Sequence, residues 1–138
     1  MSEPLWLDLD EVLKAHEEQI RLFGGSAGVR DIGLIESALA RPQQLYFYEG
    51  ESDVLTLAVR LGVALARNHG FVDGNKRTGV LAMILFLALN GYALVMPNDE
   101  TLGRWFEAVI EERMREAELA EALYPFVSRG GPLPLTPP

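Results

Sequence analysis

Apolar residues recur along the chain at helical spacing, in segments separated by glycine, proline and polar caps. Leu9, Val12, Leu13, Ile20 and Phe23 form the first stripe. They predict a helix over 7–23 that starts at Asp8 or Asp10 and stops at Gly24-Gly25, with Glu17, Glu18 and Arg21 on its wet face. His16 is expected at or near the surface of this helix. Asp31 is placed to cap a second helix as far as Ala40, because Pro42 disfavours helical backbone at Arg41. Leu45, Tyr46, Phe47 and Tyr48 then lie between Pro42 and Gly50, so Gln43 to Glu49 reads as a short extended flap. Such a flap covers the core or offers an edge to which a peptide substrate adds a strand.

Val54, Leu57, Ala58, Leu61 and Leu65 continue the pattern and predict a third helix, capped by Ser52 and running to Asn68. Val80 to Leu89 is almost purely apolar, so a helix over 75–89 is expected at the centre of the fold, ended by Asn90-Gly91. After an extended piece at Tyr92 to Met96, a helix starts from Asn98 or Asp99 and runs to about Arg115. Its inward face carries Trp105, Phe106, Val109 and Ile110. A final helix over 117–127 is expected to bend at Pro125. The expected architecture is an all-α domain over 1–128, with a central buried helix and one short flap, followed by a proline-rich tail over 129–138.

Composition narrows the function. A net charge of −8 argues against a protein that binds nucleic acid by itself. With no cysteine, disulfides, thiolate metal sites and cysteine nucleophiles are excluded. No apolar run reaches the ~20 residues a membrane span needs. The acidic N-terminus shows no signal peptide, so a cytoplasmic protein is expected.

Chemistry concentrates between His69 and Gly79. The chain has two lysines, Lys14 and Lys76, and two histidines, His16 and His69, and one of each falls in this stretch. Asn75, Lys76 and Arg77 are expected on the first turn of the apolar helix, where backbone amides lack partners and the dipole favours an anion. Folding alone would prefer Asp or Glu there, so two cations point to a strongly negative ligand, and a polyphosphate leads. His69 is either a structural helix-end residue or a general base. Asp73 either caps a turn or gives Mg2+ a hard oxygen ligand. Gly74 allows close approach of the backbone. Asn75 caps the helix or binds a phosphate. Thr78 is a minor anion contact or a packing residue, and Phe71 plugs the loop into the core. The Walker spacing is absent, since Gly70 is followed five positions on by Asn75.

These residues resemble a known motif. His69-x-Phe71-x-Asp73-Gly74-Asn75-Lys76-Arg77-Thr78 is similar to the core of the Fic/Doc superfamily, in its Doc (death-on-curing) branch, and the likeness extends to Arg67 and the segment from Gly28 to Gly50. The resemblance implies a compact helical fold, ATP with Mg2+, and a protein substrate bearing a hydroxyl, the expected one being the elongation factor that delivers tRNA to the ribosome. It also implies a toxin paired with an antitoxin. By the same resemblance His69 is the base and Arg67 a candidate for transition-state charge. Asp73 is the metal ligand, and Gly74, Asn75, Lys76 and Arg77 bind the nucleotide.

Fic proteins carry Gly-Asn-Gly-Arg with a second arginine three residues later, whereas Lys76 and Val80 stand at those places here. That departure favours transfer of the γ-phosphate over adenylylation, which stays as the alternative together with a non-catalytic binding module. The Ser/Thr-x-x-x-Glu-Gly/Asn string of self-restraining Fic proteins is missing, because Leu45 precedes Glu49-Gly50 at its first position. Restraint by an antitoxin follows.

Overall fold

The computed structural model describes residues 2–129. Six helices and a two-stranded ribbon follow one another: α1 Leu9–Phe23, α2 Ile32–Glu49, α3 Val54–Asn68, α4 Asn75–Leu89, β1 Tyr92–Leu94, α5 Thr101–Ile110, α6 Glu116–Leu123 and β2 Val127–Arg129. A 3₁₀ turn at Tyr124–Phe126 leads into β2. The expected all-α architecture is borne out. Among the described residues no helix is long and apolar enough to cross a membrane.

Aspartates start the first three helices. Asp8 and Glu11 form a reciprocal capping box at α1, and buried Leu7 and Val12 flank it on the core side. Asp31 accepts from Gly33 and Leu34 at α2, and Asp53 accepts from Thr56 at α3. Asp53 therefore does what Ser52 was expected to do. The first turn of α4 has no side-chain cap at all.

The core is built on α3 and α4. Ten of the 15 residues of α3 are buried, and α4 buries Thr78, Gly79, Ala82, Met83, Phe86 and Leu87. The two helices cross where glycine faces glycine. A Cβ on Gly62 would stand 2.7 Å from the Gly79 carbonyl oxygen, and one on Gly79 would stand 2.5 Å from that of Gly62. No other residue pair permits this approach, which sets the end of α3 beside the start of α4.

Three expectations need correcting. The flap over Gln43–Glu49 is helical, because α2 continues through Pro42 to a left-handed cap at Gly50 (φ 73°). Proline in a helix costs about 3 kcal/mol, but its ring is buried here and the helix carries Tyr46 and Phe47 onto Trp6, with ring centroids 5.7 and 6.2 Å away. Tertiary burial outweighs the local preference. The extended contact lies elsewhere, where Val29 bridges antiparallel to Phe71.

The helix expected to reach Arg115 stops at Ile110, and Glu112 then adopts positive φ. The helix expected over 117–127 stops at Leu123. Pro125 sits in the 3₁₀ turn, and β2 pairs Val127 with Leu94 and Arg129 with Tyr92. The proline-rich tail beyond residue 129 lies outside the described residues.

Candidate active site

The connection from α3 to α4 is held from three directions. Along one edge it zips onto the segment after α1: Arg30 and Asp31 donate their amides to the Gly70 carbonyl, and Val72 donates to Gly28. The Arg30 guanidinium adds a 2.7 Å bond to the His69 carbonyl, and Asn68 Nδ2 donates to Leu34. From below, Asn75 clamps the loop with both ends of its amide, Oδ1 accepting from Phe71 N and Nδ2 donating to Phe71 O, each at 3.0 Å. From the third side, α1 presents His16 and Gln19. His16 lies parallel to Phe71 with ring centroids 3.8 Å apart, and its Nε2 bonds the Asp73 carbonyl at 2.8 Å.

This frame fixes three functional groups. His69 is the left-handed cap of α3 (φ 53°, ψ 45°), a conformation that costs a non-glycine residue about 1–2 kcal/mol. Its backbone is tied and its imidazole is exposed, making no hydrogen bond with the described residues. The Asp73 carboxylate accepts from the amides of Ser26 and Gly74, at 3.1 and 2.8 Å. Those bonds hold its carboxyl below the usual carboxylate range, with a further contribution from the Arg77 charge.

Gly74 opens α4 at φ 75°, and a Cβ there would collide with the Gln19 side chain. The first helical bond of α4 is Thr78 N to Gly74 O. The amides of Asn75, Lys76 and Arg77 therefore have no partner among the described residues, as in the first turn of any uncapped helix.

The two cations of this turn diverge. Lys76 Nζ meets Glu107 Oε2 of α5 at 3.0 Å. Arg77 turns to α1, with contacts of 3.4 Å from NH1 to Gln19 Oε1 and to the Gly24 carbonyl, and its guanidinium lies 5.5 Å from the centre of the Phe23 ring. Because an arginine only donates, the oxygen of Gln19 must face it. The buried Gln19 Nε2 is then left under Gly74 without an acceptor.

The structure thus gathers His69, Asp73, Gly74, Asn75, Lys76 and Arg77 at one loop, with Arg67 two residues before His69 in the last turn of α3. Arg67 NH2 donates to the Val109 carbonyl at 2.7 Å, tying α3 to the end of α5. The Asn75 side chain braces the loop through Phe71, and Thr78 is fully buried. His16, expected near the surface, is 3% exposed and supports the loop. Gln19, Ser26, Arg30 and Glu107 were not anticipated. The buried set of α1, Val12, Ala15, His16 and Gln19, follows i, i+3, i+4, i+7. That spacing was in the sequence, obscured because two of the four residues are polar.

The sequence model of the Fic/DOC family matches residues 6–87. The chain belongs to this family. It is also 42% identical over 95 residues to Toxin Doc of Mycolicibacterium smegmatis, an alignment covering 68% of this chain and 71% of that protein. Over 82 residues it is 37% identical to Protein kinase doc of Escherichia phage P1, covering 59% of this chain and 65% of the phage protein. The family match starts in the residues before α1 and ends within α4, so it takes in the loop and the α1 wall and leaves out α5 with Glu107.

Proposed function

We propose that this chain is a protein kinase acting as the toxin of a toxin–antitoxin pair, transferring the γ-phosphate of ATP to a Ser or Thr hydroxyl. The uncapped first turn of α4 carries this reading. Three free amides open this turn between two cations that lean to opposite sides, Lys76 to α5 and Arg77 to α1, beside an ionised carboxylate and a histidine with an unengaged ring. Phosphoryl transfer needs little covalent help from a protein and much positioning and charge. The resemblance of two relatives, one a toxin and one a protein kinase, points the same way.

In this mechanism His69 accepts the proton of the substrate hydroxyl as its oxygen attacks the γ-phosphorus. The bond from that phosphorus to the β–γ bridging oxygen breaks, and ADP leaves with the electron pair. The amides of residues 75–77, with Lys76 and Arg77, stabilise charge that grows on the transferring group. One ionised carboxylate that keeps free lone pairs suits Mg2+, which is bound by one or two carboxylates plus phosphate oxygens. Asp73 would hold it, and the ion would neutralise phosphate charge. The left-handed turn at His69, the Arg30 bond to its carbonyl and the clamp by Asn75 hold the backbone that carries the base.

The proposed substrate is the elongation factor that delivers tRNA, and the proposed partner an antitoxin in the same cell. An apolar rim of Leu22, Phe23, Val29, Ile32 and Val72, each more than 40% exposed, surrounds the loop as a landing surface for protein. The test is mass spectrometry of a translation lysate incubated with this protein and ATP. A phosphoryl increment on the elongation factor is expected. An adenylyl increment supports the alternative transfer, and an unmodified lysate refutes both.

A further inference from the structure

Lys76 and Arg77 leave the same turn of α4, yet of the two only Lys76 forms a salt bridge among the described residues. Its ammonium stands 3.0 Å from Glu107, a residue on α5 that is 31 positions away in sequence. We propose that Glu107 is a positioning residue acting through Lys76: it holds the ammonium on α5 in the nucleotide-free protein, so that a phosphate must win the lysine from this carboxylate. The proposal rests on the reading of the loop as an ATP-phosphate site.

Three observations support it. First, the carboxylate cannot follow the lysine. Glu107 follows Phe106, whose buried ring would lie 3.1 Å from a Cβ on Gly79 of α4, and it precedes Val109, whose carbonyl takes Arg67. Its backbone is therefore locked to both core helices. Second, the pair is breakable. The two side chains are 53% and 46% exposed, so solvent and salt screen their attraction and a polyphosphate can compete. Third, the contact is a charge-assisted hydrogen bond of 3.0 Å, and that bond, with the lysine's charge, holds the Glu107 carboxyl below the usual carboxylate range.

When a binding group is available only part of the time, apparent affinity falls by that fraction. An exposed pair of this strength withholds Lys76 enough to weaken ATP binding about two- to fivefold. Glu107→Gln keeps the shape and removes the charge.

Calorimetric titration of the full chain with Mg·ATP tests this in four proteins: wild type, Glu107→Gln, Lys76→Met and the double variant. Glu107→Gln is expected to bind about two- to fivefold tighter than wild type, with the melting temperature lowered by no more than about 4 °C. In the Lys76→Met background the same change is expected to leave affinity as it was. Equal tightening in both backgrounds would make Glu107 a repulsive charge acting through space and overturn the proposal. So would an unchanged or weaker Kd in Glu107→Gln. A wild type that binds no Mg·ATP sinks the phosphate-site reading along with the inference. A wild type that binds, with no effect dependent on Lys76, sinks the inference alone.

Discussion

The two walls of the loop hold their cations by different chemistry. On the α1 side Arg77 rests on neutral groups: the Gln19 amide oxygen, the Gly24 carbonyl and the face of Phe23. On the α5 side Lys76 is paired with a full carboxylate. A cation seated on dipoles and a ring keeps its whole charge for an incoming anion, whereas a paired cation is offset until the pair opens. The same contrast reconciles the proposed phosphate site with a net charge of −8. The acidic excess belongs to the whole chain, whereas the proposed site needs only one helix end and one arginine without a salt bridge among the described residues.

The largest effect is expected from the group that belongs to neither wall. His69→Ala should lower transfer by about 10²–10⁴ with circular dichroism unchanged, since it removes the base and leaves both cations in place. Near-wild-type transfer in this variant would remove His69 from the mechanism. The contrast itself predicts the next effect. Arg77→Ala should weaken Mg·ATP binding by roughly ten- to a hundredfold, the range for a lost hydrogen bond to a charged group. Lys76→Ala should cost less, because Glu107 already offsets that charge. If calorimetry finds the reverse order, the comparison between the walls is wrong.

Gly74→Ala probes the α1 wall sterically. Its Cβ meets Gln19 in a left-handed turn, and thermal unfolding should show a loss of about 1–3 kcal/mol. Adding Gln19→Ala should recover the part due to the collision and leave the cost of positive φ. Without such recovery, Gln19 is not the wall.

The smallest effect is electrostatic and depends on pH. Asp73 is held low by the Ser26 and Gly74 amides. A depressed carboxyl stabilises the fold above its unfolded value, and the stabilisation fades as pH falls through the folded one. Wild type should therefore melt above Asp73→Asn at pH 7, with the two curves converging in acid. A gap that persists in acid would assign the effect to packing.

The sequence made legible whatever depends on local pattern. The bounds of α4, 75–89, emerge as expected because Gly74 sits just before its first turn and the apolar run Val80 to Leu89 carries it to Asn90-Gly91. The loop motif marks the site for the same reason, as its residues are consecutive. What stayed hidden depends on contacts between distant segments. Pro42 argued locally for a break, and burial of its ring together with the Trp6 cluster carried the helix past it. The bond from Arg67 to the Val109 carbonyl, 42 residues away, likewise had no mark in the sequence. Glu107 had no local mark, since a glutamate on a helix is ordinary until the fold brings a lysine to it.

The most direct test of the central claim is to follow two labels. The protein and the tRNA-delivering elongation factor are incubated with ATP labelled at either the α- or the γ-phosphate, and the label on the factor is counted. The account predicts that only the γ-label is transferred and that His69→Ala transfers neither. Arrival of the α-label would show that the loop seats the nucleotide the other way round and would contradict the kinase reading.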